Sequence, residues 1–190
     1  MNSLVIDMTH GGVKIAVSLA KKDETVYAYD IYNTLKSVDK KMLAVYNVKI
    51  IDLDYLKNLN GNLRVIYPVH LPLTKRDIEK YNPSLNYTFL THHEIIKELL
   101  KNWGNDIPKI EVTGVKGKTS CVFMLKEILI DKNPLILSSL GALLYENGVK
   151  KTLKQNISIT PANIKETIDL AYKIANPVCE IAAGKCDSQN

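Results

Sequence analysis

The segment that most restricts how this chain can fold is Glu-Val-Thr-Gly-Val-Lys-Gly-Lys-Thr-Ser, from Glu111 to Ser120. It lies between a β-rich run at Lys109 to Thr113 and a helix pattern in which Cys121, Met124, Leu125, Ile128 and Leu129 recur at helical spacing. Strand, glycine loop and helix in that order make a cradle for phosphate. Gly114 and Gly117 let backbone N–H groups close around phosphate oxygens, Lys118 reaches the terminal phosphates, and the Thr119 hydroxyl is placed to hold magnesium. The phosphate then sits at a helix N-terminus, where orphan N–H groups and the helix dipole favour negative charge. The expected ligands are ATP and Mg2+, with Gly114, Val115, Lys116, Gly117, Lys118, Thr119 and Ser120 as the nucleotide-binding set and Lys118 as the catalytic cation. A glycine turn that merely joins two elements is the plainer alternative. The loop has the short form G-x-x-G-K-[ST]; the longer G-x-x-x-x-G-K-[ST] would need glycine where Val112 stands.

The first half of the chain reads as a dinucleotide-fold start. Leu4 to Asp7 is a strand, Thr9-His10-Gly11-Gly12 a turn, Val13 to Ala20 a helix and Val26 to Asp30 a second strand. Strand-like runs at Val48 to Leu53 and Leu63 to Tyr67, separated by the Leu56 region, extend a parallel βαβ pattern. Sheets of this kind bind ligands beyond the carboxyl ends of their strands. Thr9, His10, Gly11 and Gly12 therefore stand where a substrate would lie, with Asp30 ending the next strand. The full G-x-G-x-x-G is missing, so NAD is not expected, and the two glycines serve equally well to make a tight strand-to-helix turn. His10 is open to two roles, binding a substrate carboxylate or capping the helix. Tyr67 to Pro72 holds two prolines, a rigid loop that brings His70 to the same sheet edge. His92 and His93 follow Thr91 at the start of a helix running to Leu100, which makes an N-terminal cap the default reading and a metal site unexpected.

Asn102 to Pro108 has the polar, glycine and proline content of a linker, so the domain boundary is placed there, giving domains 1–105 and 106–190. Beyond the phosphate loop, Leu135 to Leu137 reads as a strand, Ser138 to Gly141 as a turn and Asn147-Gly148 as another. Ser158-Ile159-Thr160-Pro161 opens a helix with Ile164, Ile168, Ala171 and Ala175 on one face, Thr160 as N-cap and Pro161 as first helical residue. The fold class expected is α/β: an N-terminal Rossmann-like parallel-sheet domain followed by a partial phosphate-loop domain.

No apolar run approaches the roughly 18 residues needed to cross a bilayer, and no signal-like segment opens the chain, which points to a cytoplasmic protein without a membrane partner. The net charge of +5 is spread over both halves, and Arg64 and Arg76 are the only arginines, so a nucleic-acid partner is not expected. A modest positive balance suits an anionic small molecule. Cys121, Cys179 and Cys186 form neither an even set nor a metal-finger spacing; the Cys179/Cys186 pair is open to weak metal binding, and reduced, structural cysteines are the main reading.

The shortened loop, preceded by a threonine and followed by a second hydroxyl residue, resembles the Mur ligase family, whose usual string is T-G-T-N-G-K-T-[ST]; Lys116 stands in place of the asparagine. The serine-glycine turn and the Thr160-Pro161 helix start fall in the order that family shows. The Asp-Met-Thr-His-Gly-Gly string from Asp7 to Gly12, with Ile15 and Ala16 behind it, further resembles the archaeal branch that makes the nickel-porphinoid coenzyme F(430). This resemblance implies that ATP activates a carboxylate as an acyl phosphate, which a nucleophile then attacks. In that branch the nucleophile is a carbon of the same nickel seco-precursor, and a carbocyclic ring closes. It implies a nickel tetrapyrrole acid near Thr9 to Gly12 and His70, nickel arriving within the substrate, and Thr160 close to the phosphates and metal. Pro177 to Gly184 loosely matches a family strand whose glutamate, in E-x-S-x-G, binds magnesium; Ala182 replaces the serine, and Glu180 is either a metal ligand or a surface carboxylate. Lys185 to Asn190 is expected to be an unstructured tail. Family members have three domains, so the chain is expected to hold the first and about a third of the second and to be inactive or crippled alone, either as a truncated product or as one half of a split enzyme that a C-terminal fragment complements. A peptide-forming ligase of the pseudomurein type acting on a nucleotide-linked peptide, or a nucleotide- or tetrapyrrole-binding module without turnover, are the alternatives.

Overall fold

The computed structural model describes residues 1–100, 108–174 and 179–183, residue 174 and the last five by their backbone alone. Two compact units emerge, Met1–Lys101 and Asn102–Asn190.

The first unit is a five-stranded sheet formed by β1 (Asn2–Ile6), β2 (Thr25–Tyr29), β3 (Lys49–Ile50), β4 (Asn62–Tyr67) and β5 (Asn86–Thr91). Its order is β3-β2-β1-β4-β5 and every pair is parallel. The helices are α1 (Val13–Ala20), α2 (Ser37–Val45), α3 (Lys75–Glu79) and α4 (His92–Leu99). Central β1 is apolar without alternation because both its faces are covered, as parallel sheets require. Leu4 and Ile6 share a core with Leu63, Val65, Leu53, Leu56 and Ile78. Both are fully buried, each contributing on the order of 2 kcal/mol. From β1 the chain winds outward to β3 and then returns to β4 on the other side of β1. The crevice between the carboxyl ends of β1 and β4 is therefore the topological switch point, where such sheets take their ligands.

At the opposite, amino edge a polar knot closes the sheet. Arg64, 8% exposed, donates to Ser3 Oγ at 3.2 and 3.3 Å, to Glu24 at 2.5 Å and to Glu98 at 3.1 Å. It ties β1, β4, the entry to β2 and α4 together.

Three elements of this unit depart from the sequence expectation. The run at Val48 to Leu53 yields only the two-residue β3, because Asp52 accepts from Tyr55 N–H at 3.0 Å and caps the short 3-10 helix Leu53–Asn58. Helix α2 and strand β5 had no counterpart in the reading. β5 lacks the unbroken apolar run of a doubly covered strand, since Asn86 and Thr88 are exposed at the sheet edge. Helix α4 starts as expected, with Thr91 accepting from Glu94 N–H while Glu94 reaches back to the Thr91 backbone.

The second unit is a sheet of β6 (Lys109–Val112), β7 (Pro134–Ser138), β8 (Gly141–Glu146), β9 (Val149–Gln155) and β10 (Cys179–Ala183), with helices α5 (Lys118–Ile128) and α6 (Pro161–Ile174). Its order is β6-β10-β7-β8-β9, the first three parallel and the last two joined antiparallel. Asn147 and Gly148, at φ 51° and 77°, make the tight hairpin turn between β8 and β9. Ser138 and Gly141 are the paired strand ends that flank the two-residue turn at 139–140, as expected, and glycine is required at 141 because a Cβ there would meet the Lys154 carbonyl at 2.4 Å. Val122, Ile136, Leu143 and Tyr145 form the core under α5. The expected linker, 102–108, lies outside the described residues but for Pro108, and the expected tail, 185–190, Ala175 and Cys186 also lie outside them.

Candidate functional site

Two strand–loop–helix junctions carry the residues singled out by sequence, one in each unit. In the second unit β6 ends at Val112, residues 113–117 form the loop, and α5 begins at Lys118. Gly114 (φ 139°) and Gly117 (φ 80°) hold backbone angles that side-chain-bearing residues rarely adopt. Gly117 is also the N-cap of α5, and no side chain caps that helix. The first-turn N–H groups of this eleven-residue helix thus have no side-chain cap, and the positive end of the helix dipole lies behind them. Lys118 folds back across the loop and donates from Nζ to the Gly114 carbonyl, which holds the ammonium against the loop. Val115 and Lys116 are exposed, Lys118 and Thr119 half-buried, and Ser120 exposed.

The remaining members of this set are separately placed. Thr160 Oγ1 accepts from Asn163 N–H at 3.3 Å, so it caps α6 as expected. Glu180 belongs to β10, paired with Lys109 of β6 and Leu135 of β7; its side chain lies outside the described residues.

In the first unit the loop after β1 is held in another way. Asp7 is completely buried at φ 70°, a conformation uncommon for a residue with a side chain. Its carboxylate accepts from Thr9 N–H at 2.8 Å, from His10 N–H at 3.4 Å and from His10 Nδ1 at 2.6 Å. Gly12 makes the turn possible, since a Cβ there would stand 2.1 Å from the Asp7 carbonyl oxygen. Helix α1 has Gly12 as its N-cap with no side-chain cap, so the capping role considered for His10 is not made; the imidazole pairs with Asp7 instead. His10 remains 64% exposed in its side chain, edge-on to Tyr32 with ring centroids 6.2 Å apart. Thr9 Oγ1 meets Thr34 Oγ1 at 2.5 Å, and Asp30 accepts from Leu35 N–H at 2.7 Å, so Asp30 serves its own loop.

His92 lies beneath this junction, 4% exposed, with Nε2 at 3.2 Å from the Ile6 carbonyl. Burial pushes its imidazole down to about 4, outweighing the Ile6 carbonyl and the Asp7 carboxylate that pull the other way. His70 is exposed on the loop after β4, across the switch point. Asp7 and His92 were missed as site residues, Asp7 because it reads as the last residue of an apolar strand. An aspartate two residues before Thr9, in Asp-Met-Thr-His-Gly-Gly, carries the signal that was available, since Asp side chains bind backbone N–H groups two residues on.

No family model matches the chain. It is 31% identical over 174 residues to the coenzyme F(430) synthetase of Methanosarcina acetivorans, covering 84% of this chain and 34% of that protein. It is 28% identical over 137 residues to the coenzyme F(430) synthetase of Methanocaldococcus jannaschii, covering 68% and 31%. The chain spans about a third of the length of these relatives. Among solved structures it is similar to the UDP-N-acetylmuramate:L-alanyl-gamma-D-glutamyl-meso-diaminopimelate ligase from Neisseria meningitides, at 14% identity and TM-score 0.42, covering 96% of this chain and 52% of that one. It is also similar to a murein peptide ligase from Psychrobacter arcticus 273-4, at 17% identity and TM-score 0.43, covering 100% and 38%. Its sequence relatives are thus coenzyme F(430) synthetases, each matched over about a third of its length.

Proposed function

We propose that this chain carries the substrate-binding and phosphate-binding units of an ATP-dependent ligase of the coenzyme F(430) synthetase type. The observation that supports the ATP half is the uncapped start of α5 behind the Gly114–Gly117 loop, with the Lys118 ammonium folded onto it. The observation that supports the substrate half is the sequence likeness to coenzyme F(430) synthetases, which extends over 84% of this chain in one relative.

In this reading a propionate oxygen of a nickel seco-precursor attacks the γ-phosphorus of ATP, the bond to the ADP oxygen breaks, and an acyl phosphate results. A carbon of the same macrocycle then loses a proton and attacks the acyl carbon, and phosphate leaves. The demands on the protein are positioning and charge neutralisation rather than covalent help. Lys118 and the first-turn N–H groups of α5 hold the phosphates, and Lys116 adds a second cation at the loop. The hydroxyl of Thr119 and the carboxylate of Glu180 are oxygen donors of the kind magnesium takes, and they would hold Mg2+, which neutralises phosphate charge when bound. Thr160, already engaged as a cap, adds a hydroxyl near that charge. Thr9 to Gly12 and His70 border the switch point where the tetrapyrrole acid would lie.

Titration of the chain with ATP and Mg2+, and separately with the nickel seco-precursor and a UDP-linked peptide, tests the reading. Saturable binding of ATP and of the tetrapyrrole is expected. Preference for the UDP ligand would move the chain to the peptide ligases, and no response to ATP would overturn the phosphate-loop assignment.

A further inference from the structure

The Asp7–His10 pair has the geometry of an oriented imidazole ligand. Because a carboxylate can only accept, the 2.6 Å contact fixes Nδ1 of His10 as the donor to Asp7. Nε2 is then the outward nitrogen of a ring whose side chain is 64% exposed, while the carboxylate behind it is fully buried. A buried carboxylate on the far nitrogen fixes the tautomer and the orientation of the ring, the arrangement that accompanies metal-ligating histidines.

The same surroundings are poorly suited to an anion. The Thr9 and His10 N–H groups that could grip one already bond to Asp7, and an imidazolium at His10 would be neutralised by that same carboxylate. They are equally poor for a free metal ion, since the described residues contain no group of three or more His, Cys, Asp or Glu able to hold one. A metal already ringed by four macrocycle nitrogens needs only one protein donor. Tyr32, 43% exposed beside the imidazole, supplies apolar surface for the macrocycle face.

We infer that Nε2 of His10 is an axial ligand to the metal of a tetrapyrrole bound at this edge, with Asp7 as the positioning residue that holds the ring. The inference rests on the proposed reading of the first unit as a tetrapyrrole-acid site.

The test uses the full chain and two probes, zinc uroporphyrin and metal-free uroporphyrin, which share carboxylates and ring and differ in the metal. Zinc uroporphyrin should show a red-shifted Soret band on binding. His10→Ala should abolish the shift and weaken the zinc form about tenfold or more, with binding of the metal-free form unchanged and the shift restored by added imidazole. Asp7→Asn should reduce the shift and weaken the zinc form about tenfold, again sparing the metal-free form. His93→Ala should keep the shift. A band shift that survives His10→Ala, or equal losses for both probes, overturns the axial assignment while leaving the tetrapyrrole reading intact. If neither probe binds the unaltered chain, the tetrapyrrole reading falls and the inference with it.

Discussion

The two strand–loop–helix junctions solve one geometric problem with opposite chemistry. After β1 the loop is held by a side chain: the buried Asp7 carboxylate takes the Thr9 and His10 N–H groups and the His10 ring. After β6 the loop is shaped by two glycines in the left-handed region, with the Lys118 ammonium on the Gly114 carbonyl, and no side chain caps the helix that follows. The first loop therefore carries its own anion and has spent its N–H donors, whereas the helix after the second has no side-chain cap, which is what the proposed phosphate site needs. A glycine pair in a Rossmann-like sheet thus need not mean a dinucleotide.

The largest expected difference between the loops lies in their glycines. Gly12→Ala should destabilise the first unit by about 3 kcal/mol or more, because the new methyl has the Asp7 carbonyl at 2.1 Å. Gly117→Ala meets nothing within 4 Å and should cost only the strain of its φ 80°, about 1–2 kcal/mol. Urea unfolding of both variants checks this, and equal losses would break the comparison.

Acid should find the first loop before the second. The folded pKa of His92, about 4, lies below the ordinary 6.5, so between those values the unfolded chain binds a proton that the folded one rejects. The neutral ring's contribution is complete above pH 6.5 and is lost as pH falls toward 4, about 3 kcal/mol in all. Denaturant melts across that window should show the loss in wild type and a flatter profile in His92→Gln. A profile that His92→Gln leaves unchanged would remove the histidine from the account.

Lys118→Ala should weaken ATP binding about tenfold to a hundredfold, the worth of a charge-assisted contact, while leaving the first unit's ligand untouched. Calorimetric titration reads both, and unaltered ATP affinity would sink the phosphate-loop assignment. The smallest effect is a cap. Thr91→Ala removes the side-chain cap that α4 has and α5 lacks, at about 1 kcal/mol, visible as a shift in the denaturation midpoint.

Much of this contrast can be read from the chain in advance, but unevenly. The continuous apolar run at Leu4 to Ile6 announces a doubly covered strand, and the Gly114–Ser120 string declares its loop because glycine and lysine have few other reasons to be so spaced. Strand β5 and helix α2 escape because they sit at the margins of the sheet, where exposed residues such as Asn86, Thr88, Val38 and Met42 blur the period. Asp7 escapes for another reason. Its role depends on a positive φ, and nothing in an apolar strand pattern reveals that the next residue turns its carboxylate inward.

The order in which this sheet is assembled differs from the order in which it is written. Strand β1 is synthesised first yet lies between β2 and β4, with Asn2 registered against Thr25 on one side and Leu63 on the other. Leu4 to Ile6 must therefore stay unpaired on one flank until more than half of the unit has emerged. Closing that long loop is the slow step that high contact order imposes. Until it closes, an apolar strand edge is open to other chains, so the yield of folded protein should depend on how soon β4 arrives.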